Sequence, residues 1–281
     1  MTRAVSKPLQ RFSGQLLLVG AGKMGSALLQ GWIRMGLDPA RITILEPQPG
    51  PEIVALASRG LTLNPADVEP ATIIVLAVKP QVAGDVVPRL IPWIKPATLV
   101  ASIMAGRTLR GIERVLPRGT AVVRAMPNLP AAIGRGITVA VSNAAVTASQ
   151  RALVDRLLTA IGTVEWIAEE TLLDAVTAVS GSGPAYVFLL AELLARAGTL
   201  AGLPAGLATR LARVTIAGSG ELLDQSPLAA ETLRHNVTSP GGTTAAALEV
   251  LMGDDGFEAL MTRAVAAATR RAGELADEPS S

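Results

Sequence analysis

The chain has no cysteine among its 281 residues and only one histidine. Without cysteine there can be no disulfide framework and no thiol chemistry, which fits a cytoplasmic location without proving it. One histidine, with no cluster of carboxylates at ligand spacing, argues against a metal site. A Ser-His-Asp triad would need His235, which lies in a polar segment and is more simply explained as an exposed side chain.

Aromatic residues and unbalanced charge are also scarce. Aromatics make up 2% of the chain and the net charge is +2, so we expect no base-stacking surface and no nucleic-acid partner. Charges interrupt the apolar stretches, and we expect no run of the roughly 18 to 20 residues that a membrane helix needs. Residues 1–13 contain basic side chains but no apolar core. We interpret them as a frayed tail, with a transit peptide as the alternative.

A glycine-rich turn follows the first apolar segment. The pattern is a buried strand at 16–19, the turn G-x-G-x-x-G at 20–25, and a helix. Gly20 allows the tight turn, Gly22 lets a pyrophosphate approach the backbone, and Gly25 lets the helix lie close to the strand. Glu46 ends the next strand, at about the right distance to bind a ribose 2′-OH. The alternative is a glycine turn in a sheet protein that binds no nucleotide.

Strand and helix patterns alternate over residues 14–168. Continuous apolar strands separated by helices indicate a parallel sheet covered on both faces. We therefore predict an α/β, Rossmann-like dinucleotide-binding domain. Ligands of such sheets bind beyond the carboxyl ends of the strands, where residues 79–80 and 102–106 are expected. Strands are predicted at 16–19, 42–45, 72–78, 98–102, 121–127, 137–141 and 163–167, and helices at 51–58, 108–116 and 147–161.

The strand pattern disappears over residues 169–281, which we predict to be an all-α domain for substrate binding and dimerisation. Helices are expected at 170–179, 184–201, 204–224, 242–252 and 255–275. The helix at 184–201 carries only Glu192 and Arg196 as charges. A helix that is apolar nearly all round must be buried, either in a subunit interface or inside a compact bundle.

A second glycine pair precedes the helix at 242–252. Ser239 is a good N-cap residue and Pro240 suits a first helical position. Gly241 and Gly242 remove side chains from the first turn, and two hydroxyls, those of Thr243 and Thr244, follow. We interpret this segment as a cup for a small carboxylate at a helix N-terminus, the alternative being an ordinary capped helix start.

Few titratable groups accompany these two sites. Lys79 could form a Schiff base, but a lysine in this place is more often solvated or beside a phosphate. Residues 181–184 are either a plain helix break or a second wall of the active site. A dinucleotide site, a carboxylate cup and few acids or bases suit hydride transfer to an activated substrate such as a protonated imine.

Four separated motifs, at 77–81, 126–128, 179–186 and 237–244, resemble those of the pyrroline-5-carboxylate reductase family, and the resemblance runs from about Gln15 to Leu275. It implies reduction of 1-pyrroline-5-carboxylate to L-proline, the last step of proline biosynthesis, with NADPH or NADH. It implies cofactor contacts from Val19, Gly20, Ala21, Gly22, Lys23, Met24, Asn64, Ala77, Val78, Lys79, Pro80, Ile103, Met104 and Ala105.

The resemblance also implies how substrate is held and how chains assemble. Thr244 would hydrogen-bond the ring nitrogen, and the substrate would be held by Ser239, Gly241, Gly242, Thr243 and Thr244. The family's helical domain forms an interlocked dimer, and dimers often assemble into decamers. Two departures stand out: Leu129 replaces the usual threonine, and residues 225–234 are longer than expected. Asp224 and Glu231 are therefore only candidates for an acidic residue of the substrate site.

Overall fold

A computed structural model describes residues 7–277, with side chains described through residue 276. The chain separates into two compact units. Within the described residues, the first comprises residues 7–181 and 269–277, and the second comprises residues 182–268. The sheet ends at Trp166, near the predicted boundary at 168, but the first compact unit continues to Gly181.

The first unit is built on an eight-stranded sheet with the order β3-β2-β1-β4-β5-β6-β7-β8. Its strands are β1 (Leu16–Val19), β2 (Ile42–Leu45), β3 (Thr62–Leu63), β4 (Ile73–Leu76), β5 (Leu99–Ser102), β6 (Ala121–Met126), β7 (Gly136–Ser142) and β8 (Gly162–Trp166). The order from β3 to β6 is parallel and doubly wound, as the strand and helix patterns predict. The short strand β3 was not predicted, because two residues carry too little pattern.

The prediction of a wholly parallel sheet is wrong at its far edge. β7 pairs with β6 antiparallel, and β8 then pairs with β7 parallel. The connection from β6 to β7 covers only residues 127–135, which is shorter than the dozen or so residues that a parallel crossover requires. The chain therefore reverses direction at this point.

Both faces of the sheet are buried, as predicted. Leu16 and Leu18 of β1 pack on one face with Trp32, whereas Leu17 and Val19 pack on the other with Leu90. The covering helices are α1 (Lys23–Arg34), α2 (Pro51–Ala57), α3 (Ala83–Val86), α4 (Leu109–Glu113), α5 (Ala148–Leu158) and α6 (Leu172–Val176).

The segment just before β1 is packed, contrary to the prediction of a frayed tail. Leu9 is 1% exposed and its N–H donates to the Met35 carbonyl at 3.1 Å. Phe12 also packs against the core beside α1. The prediction for residues 1–6 lies outside the described residues.

The second unit is helical. It contains α7 (Gly183–Leu200), α8 (Ala205–Gln225), α9 (Ala230–Asn236), α10 (Thr243–Leu251) and the first part of α11 (Phe257–Asp277). α9 accounts for part of the stretch at 225–234 that is longer than the resemblance leads one to expect. α7 and α8 pack closely through small residues, since Gly198 lies against Ala208, which is only 2% exposed.

The apolar surface of α7 is not covered within the unit. None of its residues is buried, and Phe188 and Leu193 are 60% and 49% exposed. The expectation that no apolar stretch reaches membrane-spanning length is wrong. The helical stretch Leu172–Leu200 has 29 residues and is long and apolar enough to cross a membrane. One such helix is weak evidence of a membrane, because a subunit interface requires the same composition.

Candidate active site

The glycine turn after β1 has the geometry that its sequence predicts. Gly20 has φ +90°, a conformation that side chains rarely adopt, and a Cβ there would stand 2.7 Å from the Ala77 carbonyl oxygen. A Cβ on Gly25 would collide with the carbonyl oxygen of Gly20. Both glycines are therefore required by the close approach of α1 to the ends of β1 and β4.

Gly22 differs from these two glycines, because it faces open space. It is the N-cap of α1, with no side-chain cap, and a Cβ added to it would meet nothing within 4 Å. The start of a helix leaves backbone N–H groups without helical partners and carries a partial positive charge. A bare, uncapped helix start with room above it fits a diphosphate.

Glu46 lies at the end of β2, directly beside the glycine turn. Its Oε2 accepts the Ala21 N–H at 2.7 Å, and its Oε1 accepts the Gln48 N–H at 3.0 Å. Two backbone donors thus hold the carboxylate, in the position where the sequence places a ribose-binding group. The structure shows the place and orientation of this group, and its role toward a nucleotide remains a proposal.

Asn64 supports Glu46 from the neighbouring strand end. Its Oδ1 accepts the Glu46 N–H at 2.9 Å, and its Nδ2 donates to the Glu46 carbonyl at 2.8 Å. Asn64 has φ 45°, and among the described residues it is the one non-glycine residue with positive φ. A residue held in this sparsely populated region indicates that the surrounding contacts determine its conformation.

These strand ends open into a cleft of about 650 Å³. Eight of the predicted cofactor residues line it: Val19, Gly20, Gly22, Glu46, Asn64, Ala77, Val78 and Lys79. The cleft lies at the carboxyl ends of β1, β2 and β4, where ligands of doubly wound sheets bind. The structure therefore brings these eight residues together in one cleft, and their contact with a cofactor stays a prediction.

A second part of the lining, which follows Lys79 in the chain, was not predicted. It consists of Val82, Asp85, Val86, Arg89, Leu90 and Trp93. The available signal was the apolar spacing of Val82, Val86 and Leu90 after a strand. Pro88 and Pro92 obscured it because prolines in this stretch argue against a helix, and the chain indeed forms a 3₁₀ segment there.

The remaining predicted cofactor residues do not line the cleft with their side chains. Met104 is buried in the core on one face of the sheet, and Ile103 packs against the core on the other. Ala105 is exposed. Ala21, Lys23 and Pro80 each follow a cleft residue directly in the chain, and Met24 packs against the core.

Arg107 does not line this cleft. Its Nη2 instead donates to the Pro80 carbonyl at 2.6 Å, and it borders a separate small cavity of about 70 Å³. The arginine that lines the cleft is Arg89.

In the helical unit, the predicted N-cap of the helix at 242–252 is wrong. Ser239 is not an N-cap and Pro240 is not in the helix, because α10 begins at Thr243 with Gly242 as its N-cap. The Gly242 N–H donates to the Ser239 carbonyl at 3.0 Å, and Gly241 has φ +68°. This is a tight turn with proline second and a left-handed glycine third, a combination that turns favour and helices exclude.

The turn still produces the open helix start that the sequence predicts. Gly242 provides no side-chain cap. No hydrogen bond within the described residues engages the N–H groups of Thr243, Thr244 and Ala245 or the Thr244 hydroxyl. Thr243 is exposed and Thr244 is half-buried. Free N–H groups at a positive helix end, beside two hydroxyls, form a site of the right size for a carboxylate.

Residues 177–184 form neither a loop nor a plain break. Residues Thr177–Gly181 adopt a π-helical turn that continues α6, and Pro184 lies in the first turn of α7. The Thr177 and Ser180 hydroxyls donate to the carbonyls four residues earlier. Such turns are rare and often occur at functional sites. Whether this one is a wall of the active site stays a prediction.

The other titratable candidates stand on the surface. The side chain of His235 is 67% exposed and lies 3.7 Å from Glu231 on the same helix. Asp224 is exposed near the end of α8. Within residues 7–277, no three histidine, aspartate or glutamate side chains are grouped so that they could hold a metal ion.

Two family models of known proteins match this chain. The family model described as "Pyrroline-5-carboxylate reductase dimerisation" matches residues 170–275. The model "NADP oxidoreductase coenzyme F420-dependent" matches residues 15–106.

Curated relatives and solved structures point to the same family. The pyrroline-5-carboxylate reductase of Pseudomonas aeruginosa is 38% identical over 94% of this chain and 97% of its own length. That of Glycine max is 36% identical over 95% of this chain and 98% of its own.

A solved pyrroline-5-carboxylate reductase from Coxiella burnetii superposes with a TM-score of 0.87 at 32% identity, covering 95% of this chain and all of that one. The Plasmodium falciparum pyrroline carboxylate reductase, solved with NADP bound, has a TM-score of 0.78 at 30% identity over 94% of this chain and 99% of that one. The protein belongs to the pyrroline-5-carboxylate reductase family.

Proposed function

We propose that this protein reduces 1-pyrroline-5-carboxylate to L-proline with NAD(P)H, as the last step of proline biosynthesis. The observation that carries the proposal is the uncapped start of α10, where three backbone N–H groups and two hydroxyls could bind an anion. A dinucleotide-binding protein that only senses redox state has no need of such a site. A reductase whose substrate bears a carboxylate does.

The cofactor cleft contributes binding and orientation. The start of α1, with bare Gly22, would hold the diphosphate, and Glu46 would accept from the adenine ribose. Lys79 lines the same cleft and supplies positive charge near the phosphates. When bound, the reduced nicotinamide supplies a hydride, which is the one group of this reaction that no side chain can provide.

The α10 cup contributes the substrate contacts. The N–H groups of Thr243, Thr244 and Ala245 would bind the carboxylate, and the Thr244 hydroxyl would accept from the N–H of the protonated imine. The imine carbon is electrophilic once its nitrogen is protonated, so one hydride balances the reaction and gives the neutral secondary amine. No enzyme acid is required for this step, which agrees with the few titratable side chains around α10.

Self-association follows from the helical unit. The side chains Val187, Phe188, Leu189, Leu190, Leu193 and Leu194 of α7 are 36–60% exposed. Two of them, Val187 and Phe188, also line a groove of about 740 Å³ that is shared by α7 and α8. A surface of this kind usually marks a protein interface. We propose a homodimer, assembled further into a decamer, in the cytoplasm.

The decisive experiment is a turnover assay with 1-pyrroline-5-carboxylate that follows the loss of NADH or NADPH absorbance together with the formation of proline. A panel of other cyclic imines and keto acids separates this activity from that of another reductase of the same fold. Oxidation of the cofactor with a different substrate only, or binding of the cofactor with no turnover on any member of the panel, would contradict the proposal.

A further inference from the structure

Arg107 joins two neighbouring loops at the carboxyl ends of the strands. β4 and β5 are adjacent parallel strands, and the loops that follow them begin at residue 77 and residue 103. Arg107, in the loop after β5, donates from Nη2 to the carbonyl of Pro80 in the loop after β4, at 2.6 Å. No motif in the sequence assigns a role to this residue.

The carbonyl that Arg107 binds belongs to the first residue of a 3₁₀ turn, Pro80–Val82, whose N-cap is Lys79. The same carbonyl accepts the Ala83 N–H that closes the turn. Lys79 and Val82 both line the cofactor cleft, so the position of this turn determines the shape of the cleft around them. Arg107 thus acts on the cleft through the backbone of Pro80.

The guanidinium approaches from behind the cleft. Arg107 is half-buried and borders a small cavity with Ala83, Gly84, Met104 and Ile112, and it is not among the residues that line the cleft. It is therefore placed to hold the turn without touching a ligand in the cleft.

The loop that carries Arg107 is itself fixed at both ends. At its start, the Ser102 hydroxyl, which is fully buried, accepts the Met104 N–H at 3.2 Å. At its end, the Leu109 N–H donates to Glu170 Oε1 at 2.7 Å, and the same oxygen accepts from Arg124 at 2.7 Å. Because Arg124 is only 5% exposed, this pair is a rigid support. A loop fixed at both ends gives Arg107 a stable base from which to bind the Pro80 carbonyl.

We infer that Arg107 is a positioning residue, which holds the loop after β4 against the loop after β5 and so sets the wall of the cofactor cleft around Lys79. The inference rests on the proposed function, because the ligand of the cleft is taken to be NAD(P)H. Arg107 takes no part in the chemistry, and its removal should weaken cofactor binding without weakening substrate binding.

The test compares Arg107→Met, which keeps an unbranched stem without the donor, with Arg107→Lys, which keeps a charged donor. Arg110→Met is the matched control, because Arg110 is exposed three residues later. NADH and NADPH binding to the full chain is measured by calorimetry, without substrate. Loss of a hydrogen bond from a charged donor can shift a local equilibrium about tenfold, so in Arg107→Met the loop should occupy its binding-competent position less often and the apparent cofactor Kd should rise by up to about tenfold. Arg107→Lys should recover much of that loss, and Arg110→Met should bind as the wild type does.

A second measurement does not depend on any ligand. In the cofactor-free protein, amide hydrogen exchange over residues 77–84 should be faster in Arg107→Met than in the wild type, while exchange in β1 and α1 stays unchanged. Unchanged exchange and unchanged Kd in a folded Arg107→Met would overturn the inference. If that variant does not fold, Arg107→Gln, whose amide is too short to reach Pro80, is subject to the same two criteria.

The two failures can be told apart. If the wild type binds neither NADH nor NADPH, the proposed function fails, whereas the exchange measurement still decides whether Arg107 clamps the two loops. If the wild type binds and turns over normally but Arg107→Met matches it in Kd and exchange, only the inference fails.

Discussion

The Glu46 carboxylate accepts the backbone N–H of Ala21, with Oε2 2.7 Å from the amide nitrogen. The end of β2 is thereby tied to the glycine turn after β1, and a fixed negative charge stands at one end of the cofactor cleft. This relationship bears directly on the choice between the two nicotinamide cofactors.

We expect NADH to be preferred to NADPH, because a 2′-phosphate would be repelled by the Glu46 carboxylate whereas a 2′-OH can donate to it. The repulsion between two like charges about 4 Å apart is roughly 1 kcal/mol in bulk water and roughly 4 kcal/mol near a protein surface. Glu46→Gln keeps an acceptor for Ala21 and removes the charge. The ratio of kcat/KM for NADPH to that for NADH should rise about tenfold or more, since each 1.4 kcal/mol corresponds to a factor of ten.

The control for this prediction is Glu52→Gln, which removes an exposed carboxylate from the first turn of α2. It should leave the cofactor ratio unchanged. A wild type with a clear preference for NADPH would mean that Arg89, which also lines the cleft, dominates the recognition of the phosphate.

Thr244 should assist turnover without being essential. A hydrogen bond to a charged group is worth about 1.5–3 kcal/mol, so Thr244→Ala should lower kcat/KM for the imine roughly 10- to 150-fold. Thr244→Ser keeps the hydroxyl and should retain much of the activity. The cofactor Kd, measured separately, should stay unchanged. Wild-type turnover by a folded Thr244→Ala would transfer the role to Thr243 or to a backbone N–H of the cup.

Substitutions at two glycines of the turn after β1 should affect different properties, one the binding of the cofactor and the other the free energy of unfolding. Gly22 has φ −65° and open space around it, so Gly22→Ala should melt at the wild-type temperature but bind the cofactor more weakly. Gly25→Ala forces a methyl group into the backbone of Gly20, and overpacking of this kind costs typically 1 to 3 kcal/mol of unfolding free energy. Urea unfolding and calorimetric binding on the same two variants test both statements. Equal effects on stability would contradict the assignment of Gly22.

The exposed face of α7 should be the site of assembly. In sedimentation experiments at low micromolar concentration, the wild type should contain no monomer. Leu193→Glu places a charge on this apolar surface and should shift the population toward monomer or aggregate. Ser149→Glu, on the exposed first turn of α5 in the other unit, is the control and should leave the assembly unchanged. A folded, active, monomeric wild type would refute the prediction.

The parts of the fold that could be predicted from sequence are those determined locally. β1, the glycine turn and α1 follow one another without a gap, and Gly20 and Gly25 have steric reasons that the pattern already contains. β7 was misjudged because an apolar strand looks the same in either direction, and only the short connection 127–135 reveals the reversal.

The start of α10 shows a different limit. Serine and proline are typical of the N-cap and first helical position, and the segment at 239–242 has both. The decisive residue is Gly241, whose positive φ makes a turn and excludes helix, and a sequence does not show which of two consecutive glycines is left-handed. The part of the cleft lining at 82–93 was missed for a related reason. Pro88 and Pro92 argue against the regular helix that the apolar spacing of Val82, Val86 and Leu90 favours.

The uncovered apolar surface of α7 also has a thermodynamic consequence. When folded chains bind one another and unfolded chains do not, association adds to the free energy of unfolding by mass action. The midpoint of thermal or urea unfolding of this protein should therefore rise with its concentration, and dilution alone should act as a denaturant. A melting temperature reported for it has a defined meaning only together with the protomer concentration at which it was measured.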